Sequence, residues 1–109
     1  MDNNVVSIVK SVLFSTPPNQ YICIIVPTYT EERYYYNMIR DTRVRIISGN
    51  PFKLYGVSWY HILIVDGDRM YNLEEVLDIT KDKSQNITLI WSETRDEINA
   101  RIKAEQYVE

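Results

Sequence analysis

The chain has 109 residues, 45% hydrophobic and 25% charged, the make-up of one ordinary soluble globular domain. Its formal charge of −3 and pI near 5.1 argue against broad binding to nucleic-acid phosphates. No apolar run approaches the length of a transmembrane helix, and the acidic start without a basic leader does not read as a signal peptide.

Val5 to Phe14 repeats apolar residues at helical spacing and is expected to form a short amphipathic helix, broken by Pro17 and Pro18. Tyr21 to Val26, "YICIIV", is a continuous apolar run without alternation, which suggests a strand covered on both faces. It contains Cys23, the only cysteine, which reads as a small buried hydrophobe in a reducing, cytoplasmic setting. A helix should follow over "TYTEERYYYNMIRD", with Thr30 as its cap and Tyr35, Met38 and Ile39 facing the sheet.

Arg43 to Ser48 is a second strand, and the loop "GNPFKLYG" separates it from a third over Tyr60 to Val65. Asn72 caps a helix through about Ile79, and Asn86 to Trp91 gives a fourth strand. The charged closing segment is a helix capped by Ser92 or Thr94, with Ile98, Ile102, Ala104 and Tyr107 inward. The order α-β-α-β-β-α-β-α predicts a single three-layer α/β sandwich on a mainly parallel sheet of four or five strands. Pro27–Thr28, Ser48–Gly49, Asp66–Asp68 and Ser92–Glu93 then share the carboxyl edge, where ligands of such sheets bind.

The segment "WYHILIVDGDRMY" runs a buried strand into two carboxylates, Asp66 and Asp68. A phosphorelay receiver also places acids at a strand end, but at its first strand, and too little chain follows here for the rest. "ICIIVPTYTEERYYYNMIRD" with "ILIVDGD" resembles the opening of family-two glycosyltransferases, which implies carboxylates holding a divalent metal on a nucleotide diphosphate. The extra strand and loop in "RVRIISGNPFKLYGVSW" departs from that pattern.

The succession "IIVPTYTEERYYYNMIRD", "RVRIISGNPFKLYGVSWYHILIVDG" and "NITLIWSET" resembles the ATPase core of viral large terminase subunits and related helicases over about Tyr21 to Thr94. That likeness implies a truncated fold of the phosphate-loop ATPase kind, with Asp66 at the position that holds Mg²⁺-bound water. Two parts of the machinery are missing. No glycine at 49, 56 or 67 is followed by Lys, so there is no phosphate loop, and Gly67 stands where the water-orienting Glu belongs.

The single His61 opens a strand and is expected to be structural or on the surface. Asp66 and Asp68 are the candidate metal pair, with Mg²⁺ the fitting ion, against an ordinary turn role around Gly67. Consecutive Tyr34, Tyr35 and Tyr36 cannot all face the core, so an aromatic interaction surface of Tyr34, Tyr36, Phe52, Tyr55 and Trp59 is expected. The sequence therefore favours a non-catalytic interaction protein that needs no cofactor and binds a protein partner or itself. The alternative is a small metal-dependent nucleotide or nucleotide-sugar binding enzyme using Asp66 and Asp68.

Overall fold

Two strands of this chain are apolar at nearly every position, so they need cover on both faces, and the architecture supplies it. The computed structural model describes residues 3–48, 58–92 and 95–106. Its elements are α1 (Asn3–Ser15), β1 (Ile22–Val26), α2 (Tyr29–Ile39), β2 (Val44–Ser48), β3 (His61–Val65), a 3-10 turn (Gly67–Arg69), α3 (Leu73–Thr80), β4 (Ile87–Ile90) and α4 (Arg95–Gln106).

The four strands form one parallel sheet in the order β2-β1-β3-β4. Ile22, Ile24 and Val26 of β1 pack with Val5, Val9 and Leu13 of α1 and Tyr35 of α2 on one face. Cys23 and Ile25 face the other way, onto Trp59, Met70 and Val76 of the α3 layer. The expected three-layer α/β sandwich is therefore present, with four strands, all parallel. All five β1 residues are buried, and each Ile or Val so placed stabilises the fold by roughly 1.5–3 kcal/mol before chain entropy is counted.

The α2 cap is Thr28 and not Thr30. Thr28 and Glu31 form a reciprocal capping box, in which the Glu31 N–H donates to Thr28 Oγ1 and the Thr28 N–H donates to the Glu31 carboxylate. Arg40 closes the helix in the left-handed region, φ 45°, with its N–H donating to Tyr36 O. The buried stripe of α2 is Glu31–Tyr35 with Ile39 half-buried, so Met38 lies on the flank, 44% exposed, instead of facing the sheet. Helix α4 differs as well: Ile102 and Ala104 are exposed. Ile102 stands between Arg101 and Lys103 in a stretch rich in charge, which leaves little apolar surface beside it. The Ile98 side chain and Tyr107 lie outside the described residues.

His61 is half-buried, and its Nε2 lies 2.8 Å from Thr88 Oγ1 across β3 and β4; burial depresses its pKa. That is a sheet contact, as expected of a structural histidine. The Cys23 thiol is fully buried, which pushes its pKa up to about 12 and keeps it protonated. Among the described residues, no helix is long and apolar enough to cross a membrane.

Candidate functional site

The chain leaves β1 through α2 toward one edge, returns past β1, and leaves β3 through α3 toward the other edge. The crevice between the carboxyl ends of β1 and β3 is thus the point where the winding reverses, the usual ligand position in open α/β sheets. Thr28 and Glu31 stand on its β1 side, and Asp66 and Arg69 on its β3 side.

Asp66 adopts φ 51° and ψ 49°, the left-handed region, at a cost of about 1–2 kcal/mol for a residue with a Cβ. Its carboxylate is buried and bonded at both oxygens. Oδ1 accepts the Ser92 N–H at 2.8 Å, and Oδ2 accepts Arg69 Nη2 at 2.7 Å. The same Arg69 nitrogen pairs with Glu31 Oε1, while Glu31 Oε2 accepts the Thr28 N–H at 3.2 Å and the Thr28 hydroxyl at 3.0 Å. A continuous chain, Thr28–Glu31–Arg69–Asp66–Ser92, therefore ties together the segments that follow β1, β3 and β4. It holds two buried carboxylates and one half-exposed guanidinium.

Tyr35, one helical turn after Glu31, is fully buried, and its hydroxyl has no hydrogen-bond partner among the described residues. Burial and then the Asp66 and Glu31 carboxylates push its pKa up to about 12. Gly67 is buried beneath α3: a Cβ built on it would lie 3.0 Å from Leu73 Cδ1 and 3.6 Å from Leu89 Cδ2. Two leucine side chains thus lie against Gly67.

The residues gathered around Asp66 are Glu31 and Arg69, whereas Asp68 is exposed in the 3-10 turn. Among the described residues, no group of three or more His, Cys, Asp or Glu side chains is arranged to hold a metal. Both Asp66 oxygens accept a hydrogen bond, Oδ1 from the Ser92 N–H and Oδ2 from the Arg69 guanidinium, and Asp68 takes no part in that chain.

Of the expected aromatic surface, Tyr36 is 68% exposed, and Tyr34 is half-buried with its ring edge-on to Tyr35 at 5.2 Å. Trp59 is buried, 8% exposed, as part of the α3-side core and presents no open ring. Phe52 and Tyr55 lie outside the described residues. Tyr29, 61% exposed with the Arg33 guanidinium 5.9 Å from its ring centroid, joins Tyr36 on the outer side of α2.

Sequence reasoning missed Glu31 and Arg69. Glu31 was signalled by Thr28-x-x-Glu31, a capping box directly after β1. No local signal announces Arg69, whose second partner is 38 positions away. The chain matches no protein-family model, no curated protein and no solved structure.

Proposed function

We propose that this chain is a non-catalytic α/β interaction protein, of the form an ATPase core would keep after losing its phosphate loop and its water-orienting Glu. The observation that carries this reading is the internal use of Asp66. An acid that serves Mg²⁺ must offer an oxygen to the ion, and here both oxygens hold the fold together. The leucine cover on Gly67 and the buried, protonated Cys23 supply no base or nucleophile beside it. The lone buried thiol also fits a reducing, cytoplasmic setting.

Calorimetric titration with ATP or UDP-glucose, each with Mg²⁺ or Mn²⁺, tests the reading. No saturable binding is expected. Metal-dependent binding that disappears in both Asp66→Asn and Asp68→Asn, with the folds intact, would overturn it in favour of a small metal-dependent nucleotide binder.

A further inference from the structure

Strand β2 is an edge of the sheet, with no strand on its outer side among the described residues. The Ile22 N–H donates to Arg43 O, which fixes the ladder's phase. Residues 43, 45 and 47 turn their backbone groups toward β1, so Ile46 turns its N–H and C=O outward. Beside this edge run two adjoining grooves of about 470 and 320 Å³, sharing Tyr36 and Ile46 in their walls. Ile39 and Val44 extend the apolar floor, and Tyr29 closes the far end.

The charges around the edge are lopsided. Arg33 and Arg40 rim the grooves and are exposed; Arg45, also exposed, projects from the opposite face of β2, where it lies close enough to act on Cys23. Arg40 and Arg45 form no ion pair with another described residue, and Asp41 is already taken by Arg43. Among the described residues lining the grooves, the carboxylates are Glu32 and the Arg43-paired Asp41, in a chain whose formal charge is −3.

Resting on the interaction-protein reading, we infer that this edge takes an extended polypeptide segment of a partner, added as a fifth strand beside β2. Its alternate residues are apolar toward Tyr36 and Ile46 and acidic toward Arg45, and Arg33 and Arg40 on the groove rim attract its net negative charge. Strand addition uses the free backbone groups for affinity and the side-chain alternation for specificity. A nucleic-acid strand would use the arginines and Tyr36 but not the outward N–H and C=O of Ile46.

The test is a titration of the full chain with a blocked decapeptide of alternating Glu and Val, read by fluorescence anisotropy and by amide hydrogen exchange. Saturable binding with slowed exchange at Ile46 is expected, weakened about tenfold in Arg40→Glu/Arg45→Glu. Both substitutions are at exposed positions and should leave the fold intact. A Lys–Val decapeptide should bind more weakly, and oligo(dT) should not slow Ile46. Equal binding of the two peptides, preferential binding of oligo(dT), no binding at all, or a dimer that protects Ile46 without peptide would each overturn the inference. None of these results supplies the metal-dependent nucleotide binding that would overturn the interaction-protein reading itself.

Discussion

Arg69 Nη2 donates to Asp66 Oδ2 at 2.7 Å and pairs with Glu31 from the same nitrogen, so one guanidinium serves two buried carboxylates on opposite sides of the sheet's central crevice. An acid at the end of a buried strand is thereby neutralised from within. The consequence is structural before it is chemical.

Removing the guanidinium should therefore cost more than an ordinary surface substitution. Arg69→Met leaves Glu31 and Asp66 buried without a cation. Breaking a fully buried pair costs 3–5 kcal/mol, and the half-exposure of Arg69 brings the expected loss to about 2 kcal/mol in urea unfolding. A loss below about 0.5 kcal/mol would mean that water or another group serves the carboxylates.

Gly67→Glu would introduce the residue that, on the proposed reading, an ATPase core carries after its strand-end Asp. It should give no hydrolysis, and it should destabilise by about 1–3 kcal/mol, because it puts a carboxyl side chain at a buried position beside Leu73. Thermal unfolding and a phosphate-release assay read the two effects. ATP turnover by the variant would show that the crevice is open and that the phosphate loop is dispensable.

The Tyr35 hydroxyl is buried without a partner among the described residues, so Tyr35→Phe should leave stability unchanged or raise it by about 1 kcal/mol. A loss of that size would reveal a hydrogen bond. The same residue sets a pH dependence together with Cys23. Burial raises both folded values to about 12, from ordinary values of 10.0 and 9.0. The unfolded chain thus releases these protons first, and stability should be complete below pH 9 and fall progressively toward pH 12. Urea midpoints measured from pH 7 to 11 should show that decline, made shallower by Tyr35→Phe.

Cys23 should resist alkylation in the folded chain. Its thiol is fully buried and protonated at neutral pH, so iodoacetamide at pH 8 should label it only after denaturant is added. Rapid labelling of the native chain would place the thiol in a cleft that the fold described above does not contain.

The layers were legible because β1 and β3 carry unbroken apolar runs, and such runs signal a strand covered on both faces. The common edge of the four strand ends followed from their parallel order. What failed to show in the sequence depends on distance or on angle. Thr28 and Thr30 both precede acidic residues, but only Thr28 has a Glu three positions on, and that spacing decides the cap. Met38 shares the helical period of Tyr35 yet lies off the stripe's axis. Trp59 is an aromatic at a loop end, where exposure and burial look alike in a sequence, and its burial comes from the α3 layer folding over it. Arg69 was invisible as a site residue because its role depends on α2 lying across the crevice from the 3-10 turn.

On the proposed reading Asp66 holds the fold and does not hold a metal. The most direct measurement is the backbone amide spectrum of the ¹⁵N-labelled chain during titration with Mn²⁺ and ATP. The Ser92 amide, bonded to Asp66 Oδ1 at 2.8 Å, is the reporter. Its resonance should keep its position and width while exposed acids such as Asp68 show only weak, non-saturating broadening. Saturable paramagnetic broadening of Ser92, reversed by chelation, would contradict it and place a metal on Asp66.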